Sequence, residues 1–458
     1  MANNRQCEAA LQVIATLRAR GYEAYLAGGC VRDLLLGRAP ADYDVATVAT
    51  PDVVLDLFPR TFAVGAHFGV VLVAPVGADF VTEVATFRSD LAYSDGRHPD
   101  GVRYTQSAEE DVLRRDFTIN GLLLDPLRGG GVLDECAGDP KRLRKAVIDR
   151  VGGLADLDAG LVRAIGEPEQ RFAEDHLRML RGVRFAARFG FDLESQTQRA
   201  MRALASRIQA VSRERVRDEL TKMLTEGRAR RAFELLDETG LLPEVLPEIA
   251  RMKGVEQPPQ FHPEGDVWAH TLALLNQLPP DCSPTLAWAA LLHDVGKPPT
   301  FERAPDRIRF NGHAELGATM AAEICRRFRF SNDESRQITA LVANHMRFMD
   351  AMRMKDSTLK RFFRLERFEE HLALHRMDCL AASGNLENWE YARERLRTMP
   401  AEVVRPKPLI TGRELIAAGY APGARFREML RVAEDAQLEG TVATAEDALR
   451  LLRSRFSL

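Results

Sequence analysis

Apolar and polar positions follow different patterns in the first part of the chain and in the remainder. Short apolar runs, the pattern of strands, occur at 25–27, 64–74, 80–87 and 132–134, and those at 64–74 and 80–87 are rich in β-branched residues. From about residue 140 onward, apolar positions recur every three to four residues, the spacing of amphipathic helices, as at 172–189, 195–208 and 212–226. The pattern predicts a mixed α/β block to about residue 135, followed by helices.

Length and loop signals indicate several domains. A chain of 458 residues is too long for a single hydrophobic core. Proline-containing loops at 257–259 and 406–408 separate the helical part into pieces. We predict four domains, with bounds at 1–140, 141–250, 256–400 and 401–458.

Composition and charge narrow the function only slightly. Hydrophobic residues make up 45% and charged residues 28%, and the net charge of −3 disfavours a uniformly basic nucleic-acid binder. Arginines nevertheless cluster between 142 and 231, and a polyanion binds a local patch. Scattered cysteines fit a reducing cytoplasm, and no apolar window is long enough to span a bilayer. We therefore expect a cytoplasmic protein with no membrane partner.

A glycine pair followed by paired acids is the first candidate site. Gly28 and Gly29 end a predicted strand and open a helix, where backbone N–H groups can approach a triphosphate. If Asp42 and Asp44 lie in a strand they face one side, and side-by-side carboxylates suit Mg²⁺. Glu83, on an otherwise apolar strand, is a candidate third ligand. The alternatives are a plain tight turn for the two glycines, turn residues in contact with solvent for the two aspartates, and a glutamate facing water from an edge strand for Glu83.

A second polar group follows at 114–120. Arg114 and its neighbour Arg115 carry guanidinium forks that suit phosphate oxygens. Asp116 can accept hydrogen bonds from ribose hydroxyls, which favours ribonucleotides. A loop held together by salt bridges is the alternative.

These motifs, taken in their order along the chain, resemble those of class II CCA-adding enzymes and the related bacterial poly(A) polymerases. The glycine and aspartate segments match the family's first motif, and residues 114–120 match the second. Later motifs match at 152–157 with 163–166, at 174–178 and at 214–215. The resemblance covers roughly residues 20–240, and several motifs in the family's order are far more specific than any one alone.

Asp175 and Arg178 offer a way to select a base without a template. Being three positions apart, they share a face if the segment is helical. Cytosine and adenine each present an amino donor beside a ring-nitrogen acceptor, which an aspartate and an arginine complement, whereas uracil and guanine present the reverse. The resemblance implies this role for the pair, and a surface ion pair is the alternative. Arg181 and Arg184 are candidates for triphosphate or acceptor-stem contacts, or else solvated helix arginines.

Histidines and aspartates gather in the third predicted domain. They are His270, His293, Asp294, His313, His345 and Asp378. Neutral imidazoles with carboxylates suit divalent transition metals such as Mn, Fe, Co or Ni, which turn bound water into a hydroxide nucleophile. The order resembles the H…HD…D pattern of the HD phosphohydrolase superfamily, in which members that bind more than one ion have extra histidines like His313 and His345. Phosphatase or phosphodiesterase activity is implied, and isolated structural histidines are the alternative.

Together the resemblances imply a fold and a reaction. The fold is an α/β nucleotidyltransferase head of polymerase-β type, then an all-α neck and body, an all-α HD domain and a small helical C-terminal segment. The reaction is template-independent addition of C and A to the tRNA 3′ end from CTP and ATP, with Mg²⁺ at Asp42 and Asp44 and release of pyrophosphate. The residues implied to contact the nucleotide are Gly28, Gly29, Arg32, Arg114, Asp116, Asn120, Asp175, Arg178, Arg181 and Arg184.

Several alternatives stay open at this stage. The segment 89–104 lies where the family has a loop that helps the switch from C to A, so the product is CCA, CC or A alone. A poly(A) polymerase is a further option within the same class. Outside it, the chain is an HD hydrolase whose head only grips RNA, or an RNA-binding protein without catalysis. The C-terminal segment either lies near tRNA or packs against the HD domain.

Overall fold

The computed structural model describes residues 2–65, 69–74, 80–90, 101–128, 140–260 and 262–457. Its contacts separate two compact units, Met1–Pro247 and Glu248–Leu458. Within the described ranges, no helix is both long enough and apolar enough to cross a membrane. The finer division into four domains stays a prediction.

A seven-stranded mixed sheet forms the head of the first unit. The described strands up to residue 148, of which seven form this sheet, are in chain order β1 (Ala24–Ala27), β2 (Val45–Thr47), β3 (Thr61–Gly65), β4 (Val70–Val73), β5 (Thr82–Thr86), β6 (Arg88–Asp90), β7 (Val102–Tyr104), β8 (Leu123–Leu124) and β9 (Val147–Ile148). Their order in the sheet is β3-β4-β5-β2-β1-β8-β9, while β6 and β7 pair with each other. Only β2 and β5 run parallel in this sheet; its other pairs are antiparallel. The sheet therefore extends past the predicted bound at 140.

The strand positions follow from alternation of buried and exposed side chains. Along β5, Thr82, Val84 and Thr86 are buried while Glu83 between them is exposed. The run predicted as one strand at 64–74 is part of two antiparallel strands, β3 and β4. The strand suggested near 132–134 and most of the 89–104 segment lie outside the described residues. The helices of the head are α1 (Ala2–Ala19), α2 (Gly29–Leu35), α3 (Pro51–Leu57), α4 (Ala108–Leu113) and α5 (Pro140–Ala146).

The rest of the first unit is almost entirely helical, as predicted. Its helices are α6 (Gly153–Ala159), α7 (Pro168–Glu174), α8 (Leu177–Phe189), α9 (Ser195–Leu204), α10 (Arg213–Thr225), α11 (Ala229–Glu238) and α12 (Leu242–Val245), and α13 (Pro247–Ala250) spans the boundary between the two units. Two short parallel strands, β10 (Leu161–Val162) and β11 (Asp192–Leu193), are the departure from an all-α body. The central helix α8 ends at Gly190, whose φ of 71° is in the left-handed region that glycine adopts readily.

The second unit is also helical. Its helices are α14 (Val267–Leu275), α15 (Pro284–Leu292), α16 (His313–Arg327), α17 (Asn332–Asn344), α18 (Asp356–Phe363), α19 (Phe368–Ala381), α20 (Glu387–Thr398), α21 (Ala401–Val404), α22 (Gly412–Ala417), α23 (Arg425–Leu438) and α24 (Ala445–Arg455). One small antiparallel pair, β12 (Glu302–Arg303) and β13 (Ile308–Arg309), is added to them. The side chains of Ser283 and Ser331 cap the N-termini of α15 and α17.

One cysteine departs from the expectation of reduced thiols. Cys30, Cys282, Cys325 and Cys379 are free. Cys7 in α1 is disulfide-bonded.

Candidate nucleotidyl-transfer site and metal centre

Three carboxylates gather at the end of the sheet where β2 begins. Because β2 and β5 run parallel with Val45 opposite Val84, Asp44 and Glu83, each one residue earlier, lie side by side. Burial, followed by the negative charges of Asp42 and Glu83, raises the pKa of Asp44 to about 7. The pKa of Glu83 is also raised, by partial desolvation from the surrounding protein and by the charge of Asp42, although its side chain keeps contact with solvent. The three predicted catalytic acids therefore share one electrostatic environment.

The local backbone at the paired aspartates differs from the predicted strand. β2 begins only at Val45, and the preceding residues form an entry loop in which Asp42 is exposed, Tyr43 is buried and Asp44 is partly buried. The loop is tied to β1 by a hydrogen bond of 3.0 Å from the Ala27 N–H to the Asp44 carbonyl. Tyr43 therefore points into the core, and Asp42 and Asp44 on either side of it do not, although these residues are not part of a strand.

This acid cluster fits a divalent cation. Burial is the main cause of the raised pKa values, and the negative charges of the neighbouring carboxylates add to it. A cation among the three acids would relieve this repulsion. Oxygen ligands of this type suit Mg²⁺. In the described part of the chain, the groups of three or more His, Cys, Asp or Glu side chains whose ligand atoms all lie within 4.8 Å of one another belong to the second unit, so the three acids of the head do not all lie that close together. A cation in the head would therefore draw its three carboxylates closer together.

The predicted glycine turn lies beside the acids. Gly28 has a φ of 72°, and its N–H donates to the Leu122 carbonyl at 3.0 Å. A Cβ atom on this residue would lie 2.9 Å from Arg115 Nη1. Gly29 begins α2. The positive φ favours glycine at position 28, and the absence of a side chain there leaves room for the Arg115 guanidinium.

Arg114 and Arg115 are held by an acid that the sequence analysis missed. Asp111, which is 1% exposed, accepts from Arg114 Nε at 2.9 Å and from Arg115 Nη2 at 2.9 Å. Burial opposes its ionisation, but the charges and hydrogen bonds of both arginines lower the pKa of Asp111. The signal that identifies such a residue is its spacing, three and four positions before the arginines at the end of a helix.

Four predicted nucleotide-binding residues form a chain of hydrogen bonds. Arg32 Nη1 donates to Asn120 Oδ1, and Asn120 Nδ2 donates to Asp116 Oδ1 at 3.1 Å. On the other side, Arg181 Nε donates to Asp116 Oδ2 at 2.8 Å. Burial disfavours ionised Asp116, but the charge of Arg181 and the hydrogen bonds from Asn120 and Arg181 lower its pKa to about 2. Asp116 is therefore an ionised acceptor at neutral pH.

The assumption that Asp175 and Arg178 share a helix face is wrong. α7 ends at Glu174, Asp175 has an extended backbone with φ −143° and ψ 105°, and α8 begins at Leu177. Asp175 Oδ1 accepts from the Leu177 N–H at 3.0 Å, which closes a turn between the two helices. Asp175 Oδ2 pairs with Arg215 Nη2 at 2.8 Å, whereas Arg178 Nη1 donates to Glu174 at 2.5 Å. Base selection by the pair stays a prediction.

Arg184 lies in a buried ion pair between helices. It is 6% exposed, and its Nε donates to Glu219 Oε2 at 2.7 Å, while its Nη1 lies 3.4 Å from Glu226. These contacts fasten α8 to α10 and to the residue that follows it. The nucleotide contact predicted for Arg184 stays a prediction, and its partners favour a role in packing.

Replacing Arg184 with methionine is expected to lower the free energy of unfolding by about 3 kcal/mol, because Glu219 stays buried without its main partner. The nearest remaining cation is Lys222, at 3.8 Å. Urea unfolding measures this loss, and the double variant Arg184→Met/Glu219→Leu should recover most of it. A raised KM for CTP with unchanged stability would instead establish a nucleotide contact.

In the second unit, four histidines direct Nε2 to one centre. His270 Nε2 and His293 Nε2 are 3.3 Å apart, and His313 Nε2 and His345 Nε2 are also 3.3 Å apart. The Nδ1 atoms of His293, His313 and His345 lie 2.7 to 2.9 Å from backbone carbonyls. Since a carbonyl accepts only, Nδ1 must donate, and each neutral ring presents an Nε2 lone pair inward.

Asp294 lies between the two histidine pairs. Its Oδ2 is 3.1 Å from His293 Nε2 and 3.8 Å from His270 Nε2, whereas its Oδ1 is 3.6 Å from His313 Nε2 and 3.7 Å from His345 Nε2. One carboxylate can therefore serve two cations. We name as the first position the set His270, His293, Asp294 and Asp378, and as the second position the set Asp294, His313 and His345.

Electrostatics within the cluster suit metal binding. Burial lowers the pKa of His345 to about 4, which keeps the ring neutral. Burial also opposes charge on His270, but hydrogen bonds to Asp378, at 3.0 Å, and to Glu264 raise its pKa to about 9. A cation in the first position would replace the proton between His270 and Asp378. The six predicted ligands thus provide the imidazole and carboxylate set typical of divalent transition metals.

A buried lysine beside this centre was not predicted. Lys297, 6% exposed, places Nζ 2.7 Å from Asp294 Oδ2 and 2.7 Å from Gln257 Oε1. Its position three residues after Asp294 is the sequence signal, because a buried lysine needs a charged partner.

Three family models match the chain in succession. They are the "Poly A polymerase head domain" over residues 24–163, the "Probable RNA and SrmB- binding site of polymerase A" over residues 190–253 and the "HD domain" over residues 267–383. The order agrees with the sheet-bearing head, the helical neck and the histidine cluster.

Curated relatives point to the same group of enzymes. The CCA-adding enzyme of Geobacillus thermodenitrificans is 42% identical over 51% of this chain, and that of Lactobacillus johnsonii is 39% identical over 60%. The alignments span 53% and 65% of those relatives' own lengths. An A-adding tRNA nucleotidyltransferase of Deinococcus radiodurans is 34% identical over 93% of this chain and 94% of its own length.

Solved structures show the same fold over nearly the whole chain. The CCA-adding enzyme of Bacillus stearothermophilus in complex with CTP has a TM-score of 0.75 at 27% identity and covers 99% of this chain and 98% of its own. The Thermotoga maritima CCA-adding enzyme complexed with tRNA has a TM-score of 0.58 at 17% identity, covering 98% and 94%. With its polymerase head, RNA-binding helices and HD domain in this order, the chain belongs to the tRNA nucleotidyltransferase family of CCA- and A-adding enzymes.

Proposed function

We propose that this enzyme adds C and A, without a template, to the 3′ end of tRNA from CTP and ATP and releases pyrophosphate. The observation that carries the proposal is the placement of Asp44 beside Glu83 by the parallel pairing of β2 and β5, with Asp42 near enough for its charge to raise the pKa of both. The relatives named as CCA-adding enzymes and the CTP-bound neighbour support the choice of reaction and substrates.

The residues of the head divide the work of transfer. Mg²⁺ held by Asp42 and Asp44 would favour attack of the RNA 3′-hydroxyl on the α-phosphate and departure of pyrophosphate. The Gly28 turn, with Arg115 packed against it, gives the triphosphate a backbone approach and a positive charge. The ionised Asp116 can accept from ribose hydroxyls.

Base choice in this proposal depends on a rearrangement. Asp175 and Arg178 must exchange their present partners, Arg215 and Glu174, for the edge of cytosine or adenine. The Asp175–Arg215 contact is a single ion pair. Arg178 is buried and also donates to the Arg171 and Arg114 carbonyls. Its two matched hydrogen bonds to a base must therefore replace more than the pair with Glu174.

A-only addition is the second candidate. The relative aligned over 93% of this chain is named an A-adding enzyme. Under this alternative the chain would extend tRNA that already ends in CC and leave tRNA without CC unchanged.

Incubation with three RNAs separates these activities: tRNA lacking CCA, tRNA ending in CC, and an unstructured RNA. CTP and ATP are supplied separately and together, and the products are resolved by length. CCA addition predicts two C and one A on the first RNA, and A-only addition predicts extension of the second alone. Long A tails on the unstructured RNA would overturn both in favour of a poly(A) polymerase.

We further propose that the histidine cluster is a metal-dependent phosphohydrolase centre that holds a divalent transition metal such as Mn, Fe, Co or Ni. The first and second positions share Asp294, an arrangement suited to a hydroxide nucleophile beside two cations. The proposal of nucleotide addition includes the tRNA 3′ end as partner and a cytoplasmic location.

Mg²⁺ binding and stability should depend on pH through Asp44. Its pKa is about 7 in the folded protein but near 3.9 in an unfolded chain, so ionisation destabilises the metal-free fold. This cost is absent below about pH 4, grows as the pH rises and is complete above about pH 7, at no more than about 4 kcal/mol. Mg²⁺ affinity should fall as the pH drops below 7, because the cation needs the ionised carboxylate.

Thermal unfolding of metal-free wild type and Asp44→Asn at pH 5 and pH 8 measures the effect. We expect Asp44→Asn to be the more stable protein at pH 8, with a smaller difference at pH 5. Equal stability of the two proteins at both pH values would show that Asp44 is not under strain.

A further inference from the structure

Glu264 contacts the far side of one metal-binding histidine. Its Oε1 accepts from His270 Nδ1 at 2.6 Å and from His262 Nδ1 at 2.9 Å. The Glu264 side chain is 14% exposed, and its other oxygen, Oε2, is buried without a hydrogen-bond partner. It precedes the residues 267–383 that match the HD model and is not one of the predicted ligands.

His270 therefore differs from the other three histidines of the cluster. Their Nδ1 atoms donate to the neutral carbonyls of Ala290, Phe310 and Val342. His270 alone among the four donates to a carboxylate. A hydrogen bond to a charged acceptor is stronger than one to a carbonyl, and it makes the opposite ring nitrogen a better electron donor to a metal.

The loop that carries Glu264 is held in place on its C-terminal side. Gly265, with a φ of 126°, has a backbone that other residues rarely adopt. Asp266 caps α14 through a 2.7 Å hydrogen bond from the Ala269 N–H and accepts from the Gly254 N–H at 2.6 Å. Glu264 is thus held above His270 before any metal arrives.

We propose that Glu264 makes the two metal positions unequal by strengthening the first position and leaving the second unchanged. The first position contains His270, and the second does not. This inference rests on the proposed metal centre. It goes further in stating that the first position fills at the lower metal concentration and that Glu264 causes the difference.

Co²⁺ titration of the full chain, followed by visible absorption and by metal analysis after dialysis, tests the proposal. His345→Ala removes a ligand of the second position, and His270→Ala removes one of the first. In the His345→Ala background, Glu264→Ala should weaken binding of the remaining ion by about 10- to 100-fold, the usual effect of losing such a partner. In the His270→Ala background, Glu264→Ala should leave the remaining ion's affinity unchanged.

Two further variants separate charge from packing. Glu264→Gln keeps an oxygen that can accept from His270 but loses the charge, so its effect should be smaller than that of Glu264→Ala. His262→Ala keeps the Glu264–His270 bond and should leave both affinities unchanged. Circular dichroism and thermal unfolding confirm that each variant is folded.

The outcomes are distinguishable. An equal loss of affinity in both backgrounds, or no loss in either, would overturn the role of Glu264 while leaving the metal centre intact. Wild-type protein that binds no Co²⁺, Mn²⁺, Ni²⁺ or Fe²⁺ would instead overturn the proposed metal centre, and the role of Glu264 with it.

Discussion

Asp42→Asn and Asp44→Asn, made singly, are each expected to slow nucleotide incorporation by about 10³-fold or more, because several kcal/mol of transition-state stabilisation depend on the bound cation. Each asparagine keeps the shape of the side chain and removes one negative charge from the acid cluster. The loss should appear in kcat for CMP or AMP incorporation into tRNA, and the affinity for tRNA should be retained.

The matched control is Asp56→Asn, an exposed aspartate in α3 of the same head. It should incorporate nucleotides at the wild-type rate. Glu83→Gln tests the third acid and should slow incorporation as well, since Glu83 lies in the same electrostatic environment. Wild-type rates in Asp42→Asn or Asp44→Asn would remove the basis for transfer at this site and leave the histidine-rich unit to account for the enzyme.

The elements that position the proposed catalytic acids were predictable because they depend on local patterns. The apolar run around Glu83 predicts a strand, and β5 spans Thr82–Thr86. The role of Glu83 as a third ligand stays a prediction, because the structure has its side chain exposed between buried Thr82 and Val84. The clustering of the histidines was predictable for a different reason: their side-chain types and order are specific even though they are far apart in sequence. Four of them meet at one centre.

What the sequence could not predict depends on tertiary contacts or on a local choice between structures of similar energy. Asp175 has a spacing compatible with one continuous helix, but its side chain closes a turn with the Leu177 N–H instead. Arg184 looks like any exposed helix arginine until α10 brings Glu219 against it. Glu264 was overlooked because acids in loops are usually solvated, and only the folded chain places it against His270.

Asp294→Asn is expected to abolish tight binding at both metal positions, the largest effect of any single change in the second unit. The carboxylate faces the first position with Oδ2 and the second with Oδ1. Asparagine keeps one oxygen that can still accept from Lys297, so the fold should survive, but it cannot offer two anionic oxygens. Metal content after dialysis against a chelator should fall from two ions per chain to none.

The variant to set beside it is His313→Ala, which removes a ligand of the second position only. It should retain one ion per chain, and both variants should add nucleotides to tRNA at the wild-type rate because the acids of the head are unchanged. If Asp294→Asn retained one ion, the carboxylate would serve a single position, and the proposal that the two positions share Asp294 would be wrong.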